Sequence, residues 1–305
     1  MNSFSFNSVI IIESISPSSP ELYSVGVDLH QTIEKSIKLL QSSNKRYNNF
    51  ICEINHINGL KEWDAFWQAL EIRCKKGLNP IIHFVCHGTD DGEYLVLNNH
   101  DSNVFVPWDR VCQKLERINV LNKNNTFVTM CICHGFNILK KILLDKKRRI
   151  PFCGLISSPD SISNVDAEIR YSDFYISLLT NADVSIAFQT IIDNFETVKI
   201  QFGEDSTARY LVEFSDELFL EAFKEEVQNR KDYLVSYTKA KEAIQSDVRF
   251  KDLSPSQIEY LVQVFISLYN QKIDELYTKM RNYKFMFDIY PDQIKRFDFP
   301  DKISE

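Results

Sequence analysis

Short, largely apolar runs alternate with longer stretches of helical periodicity along residues 1–200. The runs at 9–12, 81–86 and 126–132 are short enough to be strands that are buried on both faces. Apolar residues then recur every three or four positions over 27–40, 60–74 and 108–118, as on one face of an amphipathic helix. Strands that alternate with helices predict an α/β fold, with a mostly parallel sheet between helices.

Weaker patterns complete this predicted domain. An alternating segment at 50–54 and an apolar segment at 152–157 predict two more strands, and 136–144 predicts a helix. Two short apolar pieces on either side of a polar turn, 94–97 and 104–106, predict a hairpin beside the main sheet.

The chain changes character after about residue 200. Long amphipathic patterns rich in Phe and Tyr, over 211–237 and 258–283, predict helices without a clear strand. The sequence therefore predicts an α/β domain over 1–200 and a helical C-terminal region over 201–305.

Two reactive residue types stand at the ends of predicted neighbouring strands. His87 ends the third buried strand of the sheet and Cys133 ends the fourth. Because functional groups collect outside the carboxyl ends of parallel strands, we expect both side chains to face one cleft. A thiol beside an imidazole is a nucleophile beside its base, so this pair predicts acyl-transfer chemistry.

Residues around this pair are candidates for supporting roles. The backbone amides of Gly88 and Cys133 are candidates for an oxyanion hole, and we expect Gly88 and Gly135 to let a substrate backbone approach closely. Candidates for the walls of a substrate pocket are Asp90, His134 and Ser157.

Bulk composition narrows the class of protein. The net charge of −7 argues against a nucleic-acid partner. The N-terminus lacks a basic segment and its apolar run over 9–12 is too short for a signal peptide or a membrane helix, so we expect a cytoplasmic protein without membrane contact. The seven cysteines are scattered and odd in number, which is typical of reduced thiols.

Two segments resemble the catalytic strands of one peptidase family. "PIIHFVCHG" (80–88) resembles the strand that ends in His-Gly in caspases and metacaspases, and "TFVTMCICHGF" (126–136) resembles the strand that carries their catalytic cysteine. His87 precedes Cys133 by 46 residues, close to the roughly 50 expected in that family. The later segments "PFCGLISSP", "YSDFYISLL" and "NADVSIAFQTII" resemble the region after the nucleophile in CHAT domains and bacterial caspase-like proteins, so the resemblance covers about residues 8–195.

The resemblance implies a caspase-like fold and a cysteine endopeptidase of the bacterial stand-alone type, in the clan of caspases, metacaspases and separase. Cys133 would then be the nucleophile, and His87 would be the general base and later the acid, with no cofactor. The resemblance also implies a protein substrate, an activating sensor or regulatory protein, and an effector role in stress or antiphage defence. The P1 preference stays open, because Cys131 stands where metacaspases carry an acidic residue two positions before the nucleophile.

Other interpretations of the same residues remain. Cys131 is a rival nucleophile, and the cluster of Cys86, His87, Cys131, Cys133 and His134 contains enough soft ligands for a zinc site. The caspase-like domain could instead be a catalytically silent docking module, or a cysteine hydrolase or transferase that acts on something other than a peptide.

Overall fold

A computed structural model of the chain describes residues 5–15, 25–99, 102–139, 142, 148–192, 211–234, 237–297 and 299–303. These residues divide into two units, Met1–Ser215 and Asp216–Glu305. The boundary of the predicted domains near residue 200 lies outside the described residues.

The first unit contains a single sheet with its helices. The strands are β1 (Ser8–Ser14), β2 (Ile51–His56), β3 (Pro80–Gly88), β4 (Tyr94–Asn99), β5 (Ser102–Pro107), β6 (Phe127–Cys131), β7 (Gly154–Ser157) and β8 (Leu211–Phe214). The helices are α1 (Val25–Gln41), α2 (Leu60–Lys75), α3 (Trp108–Leu121) and α4 (Asn164–Asn181), and the positions 184–192 are also helical.

The sheet is mostly parallel, as predicted. Its strand order is β2-β1-β3-β6-β7-β8, and only β8 runs antiparallel along this path. The β4–β5 hairpin leaves the path at the end of β3, where His87 pairs with Val96 and Gly88 with Leu95. The α/β fold that the alternating pattern predicts is therefore confirmed.

Helices cover both faces of this sheet. Val9, Ile11, Ile81 and Val85 point to one face, where they share a buried cluster with residues of α1 and α4. Phe84 points to the other face, and its ring centroid lies 6.4 Å from that of Trp67 in α2. Burial on both faces is why these strands are continuous apolar runs rather than alternating ones.

A buried polar chain ties α4 to the middle of the sheet. His83 Nδ1 lies 2.7 Å from Thr129 Oγ1, which in turn lies 2.8 Å from the Tyr175 hydroxyl. Tyr171, one turn earlier on α4, donates to the carbonyl oxygen of Met130 at 2.8 Å. Hydrogen bonds in a low-dielectric interior fix the position of a helix more narrowly than apolar contact alone.

The structure corrects two predicted boundaries. The pattern over 211–237 was predicted to be wholly helical, but Leu211–Phe214 is a strand that pairs with β7, and the helix begins at Ser215. A four-residue strand depends on its pairing partner, which local periodicity does not reveal. The strand predicted to continue to Ile132 ends at Cys131, so Cys133 lies in the turn after it.

Only part of the helix predicted over 136–144 lies within the described residues. It begins with a 3-10 turn, Gly135–Asn137, and positions 138, 139 and 142 are helical. Residues 140, 141, 143 and 144 are not described.

The second unit is helical, as predicted, with its own core. The helices are α5 (Ser215–Leu234), α6 (Tyr237–Ser246) and α7 (Pro255–Lys284). Ser254 and Gln257 form a capping box at the start of α7, which satisfies two amides that the first turn leaves without partners. The rings that pack together in this unit are Phe219, Phe223, Tyr277, Phe285, Phe287, Phe297 and Phe299.

Within the described ranges, none of the helices combines the length and apolar character that crossing a membrane requires.

We predict that the buried His83 makes folding stability depend on pH. Burial lowers its pKa from 6.5 to about 3, so between these values the unfolded chain binds a proton that the folded chain does not. The free energy of unfolding should therefore fall by about 1.4 kcal/mol for each unit by which the pH falls between 6.5 and about 3.

The test is chemical denaturation of the wild type and of His83→Gln across this pH range. The difference in their free energies of unfolding should shrink as pH falls, because glutamine does not titrate. Parallel pH profiles for the two proteins would contradict the prediction.

Candidate active site

The register of β3 and β6 pairs the residues that stand two positions before His87 and Cys133. Val85 pairs with Cys131 in this parallel ladder, and His87 and Cys133 each lie two residues further along. Val85 and Cys131 belong to the buried cluster on the α1 and α4 face. Two residues further on, both segments of the chain have reached the carboxyl edge of the sheet. The sequence predicts a cleft at this edge.

Gly88 allows this close approach. A Cβ at residue 88 would overlap the carbonyl oxygen of Cys133 and lie 3.1 Å from the Ile132 side chain. Glycine is thus required here by the contact between β3 and residues 132–136, which we call the nucleophile turn after the predicted role of Cys133. Gly135 is similar, because its missing Cβ would lie 2.6 Å from the Ser157 hydroxyl, on the buried side of the turn.

A loop between β7 and α4, residues 158–163, holds the nucleophile turn in place. The amide of His134 donates to the Asp160 carbonyl at 3.1 Å, and the amide of Phe136 donates to the Ser158 carbonyl at 3.1 Å. The His134 ring adds a third bond, with Nδ1 2.7 Å from the Pro159 carbonyl oxygen. His134 itself is in the left-handed region, with φ of 56°, so these bonds stabilise a backbone conformation that is otherwise unfavourable.

The thiol of Cys133 also contacts this loop. The amide of Ile162 donates to Cys133 Sγ at 3.4 Å, and Sγ lies 4.0 Å from the carbonyl oxygen of the same residue. The main chain of Ile162 thus contacts the sulfur through both its amide and its carbonyl group. Cys133 is half-buried, so its thiol is covered from one side and accessible from the other.

His87 is half-buried at the junction of β3 with the hairpin. Burial lowers the pKa of its imidazole below the ordinary value of 6.5, because desolvation disfavours the charged ring. The ring is then neutral near pH 7 and able to accept a proton. Among the contacts of the described residues, none is a hydrogen bond between this ring and the Cys133 thiol.

The rival thiol Cys131 lies in the core. It is 6% exposed, and burial raises its pKa to about 12. Cys86, which points to the opposite face from Val85, donates to the Ile12 carbonyl at 3.8 Å, and burial raises its pKa as well. Buried protonated thiols are poor nucleophiles, so geometry favours Cys133.

The predicted pocket residues have different surroundings. Asp90 is exposed in the loop after Gly88, where it can contact a substrate. Ser157 is fully buried, and its hydroxyl lies beneath Gly135. It therefore packs under the nucleophile turn and does not line a pocket, because the turn covers the end of β7.

Gly92 connects the hairpin to the same turn. Its φ is +67°, and a Cβ there would overlap the Asn137 side chain and lie 3.2 Å from the His134 Cβ. The Trp108 indole donates to the Gly92 carbonyl at 2.8 Å. The hairpin is thus part of the site, although the sequence placed it only beside the sheet.

The zinc alternative has no geometric support within the described ranges, where no three His, Cys, Asp or Glu side chains are placed to hold a metal ion.

Sequence reasoning missed the role of Ile162. This residue acts through its backbone, so its side chain gives no signal of the contact. The only local signal is the Ser158-Pro159-Asp160 segment, whose residue types are typical of a turn.

Comparison with known proteins adds no assignment. No protein-family model matches the sequence, and no curated protein is significantly similar to it. A function can therefore be inferred only from the residues of the chain itself and their geometry.

We predict that Gly88→Ala displaces the nucleophile turn. Its Cβ has no space beside the Cys133 carbonyl, so we expect a loss of about 1–3 kcal/mol of stability and a changed rate of Cys133 alkylation by iodoacetamide. Thermal unfolding and mass spectrometry of the alkylated peptide measure the two effects.

Gly59→Ala is the matched control. Gly59 is extended, with φ of −178°, and nothing lies within 4 Å of its Cβ position. If the two alanine variants have the same stability and the same rate of Cys133 alkylation, the close contact at Gly88 does not hold the turn in place, and the prediction is wrong.

Proposed function

We propose that this chain is a cysteine endopeptidase in which Cys133 is the nucleophile and His87 is the general base. The observation that carries the proposal is the β3–β6 register, which pairs Val85 with Cys131, the residues two positions before His87 and Cys133. The resemblance of both strands to those of caspase-like peptidases supports the same assignment.

The surroundings of each group suit its role. The neutral imidazole of His87 can take the thiol proton, and the Ile162 amide can stabilise the sulfur as it becomes negative. Catalytic hydrogen bonds are often long or absent without substrate and tighten in the complex. Binding of a substrate or an activating protein would therefore complete the contact between His87 and Cys133.

The steps of the reaction follow from the proposed roles of Cys133 and His87. The Cys133 thiolate attacks the scissile carbonyl carbon, and the C–N bond breaks as His87 returns its proton to the leaving amine. Water, deprotonated by His87, then hydrolyses the thioester and releases the second product.

The main-chain amides of Gly88 and Cys133 support the proposal of an oxyanion hole. Thr89 donates to the Tyr94 carbonyl, so the neighbouring Gly88–Leu95 pair is of the non-hydrogen-bonded type and the Gly88 amide points away from β4. Among the described residues, no acceptor pairs with the amide of Cys133. Both donors lie where β3 meets the nucleophile turn, which supports the predicted oxyanion hole.

The test is cleavage of a diverse peptide library by the purified full chain, by Cys133→Ala and by His87→Ala. Cys133→Ala should abolish cleavage and His87→Ala should lower kcat/KM by a factor of about 100 or more, since a positioned base contributes at least that much. Cys131→Ala, which removes the rival buried thiol, is the matched control and should keep most of the activity.

Two results would contradict the proposal. Activity that persists in Cys133→Ala and disappears in Cys131→Ala would identify Cys131 as the nucleophile. A wild type that cleaves no peptide or protein, with a Cys133 thiol no more reactive than the buried ones, would favour the docking module.

A further inference from the structure

The β4–β5 hairpin carries an unusual apolar surface on its solvated face. Tyr94 and Phe105 are 39% and 55% exposed, and their rings meet edge to face with centroids 6.0 Å apart. Pro107 pairs with Tyr94 across the two strands and is exposed as well. We call these three residues, Tyr94, Phe105 and Pro107, the aromatic shelf.

The aromatic shelf is not part of the buried core of the domain. Leu95, Leu97 and Val106 point to the other face of the hairpin and are fully buried. In an antiparallel pair with one buried face, the solvated face normally carries polar residues, as Asn103 does here. Clustered aromatic residues on such a face are a feature of binding surfaces.

The shelf continues directly from the candidate active site. His87 pairs with Val96, and Val96 pairs with Phe105, so the three side chains form one row on one face of the sheet. Two strand spacings, about 10 Å, separate the first and last members of the row. An extended peptide covers that distance in about three residues.

The loop between His87 and the shelf is acidic. Asp90, Asp91 and Glu93 are exposed there, and hydrogen bonds from the Thr89 hydroxyl and the Glu93 amide lower the pKa of Asp91. These charges disfavour acidic groups in any segment that lies on the shelf.

We infer that the aromatic shelf is a substrate subsite that binds an extended peptide through an apolar side chain about three residues from the scissile bond and disfavours acidic side chains there. The inference rests on the proposed function for its relation to the scissile bond. The apolar binding surface itself can be tested without catalysis.

The first experiment profiles cleavage with a peptide library that varies each position around the scissile bond. The wild type should prefer an apolar residue over serine by about tenfold at one position near the third from the bond, and Asp should be the poorest residue there. Phe105→Ser should lose that preference, because its kcat/KM for the apolar peptide should fall about tenfold, to the level of the serine-containing peptide. Ile72→Ser, which removes an exposed apolar residue of α2, is the matched control and should keep the wild-type profile.

The second experiment measures binding to the full-length Cys133→Ala protein, so that it does not depend on cleavage. The probes are two fluorescein-labelled peptides of Gly, Ser and Lys that differ only in one central Phe or Ser, and fluorescence anisotropy gives their affinities. The Phe peptide should bind about tenfold more tightly, and adding Phe105→Ser should remove the difference.

The outcomes separate this inference from the proposed function. Equal affinities of the two peptides, or a preference that Phe105→Ser leaves unchanged, would overturn the inference even if the chain is a peptidase. A preference that depends on Phe105, in a chain whose cleavage survives Cys133→Ala, would support the subsite and overturn the proposed nucleophile. Sedimentation that shows Phe105→Ser dissociating a dimer, with no effect on peptides, would assign the shelf to self-association and overturn the inference.

Discussion

The hydrogen-bonded ladder between β3 and β6 fixes the positions of the strand ends that lead to His87 and Cys133. These residues are 46 positions apart in the chain, and no local structure brings them together. The ladder fixes which residue of one strand lies opposite which residue of the other, and a shift by one position would turn one of the two side chains to the opposite face. Burial of both faces makes such a shift costly, so the packed core also determines the alignment of the candidate catalytic pair.

The same core distinguishes the cysteines from one another. Cys131 is only two positions from Cys133, yet desolvation raises its pKa to about 12. Burial also raises the pKa of Cys112, on α3, to about 12. Cys133 lies just past the end of its strand, and its sulfur accepts a backbone hydrogen bond. Because β6 ends at Cys131, Cys133 lies beyond the buried strand in which desolvation raises the pKa of Cys131.

The sequence was sufficient for the sheet and for placing His87 and Cys133 at or just past the carboxyl ends of two neighbouring strands. Both depend on local signals, since runs such as 81–86 are apolar enough to be buried on both faces, and the carboxyl ends of parallel strands share an edge. The strand β8 escaped prediction because four residues acquire a strand conformation only through their partner. The burial of Ser157 and the contact of Ile162 with sulfur escaped it because they depend on how a loop closes over the turn.

The bonds between the nucleophile turn and the loop over 158–163 have a consequence for sequence variation. On the side of the loop most of these bonds use main-chain groups, with the carbonyls of Ser158, Pro159 and Asp160 as acceptors and the amide of Ile162 as a donor. Main-chain groups are the same in every residue type except proline, which lacks the donor. The loop can therefore exchange most of its side chains, and with them the chemistry it presents beside the thiol, while the geometry of the turn stays constant. Such a loop is a place where related sequences can diverge in selectivity without rebuilding the site.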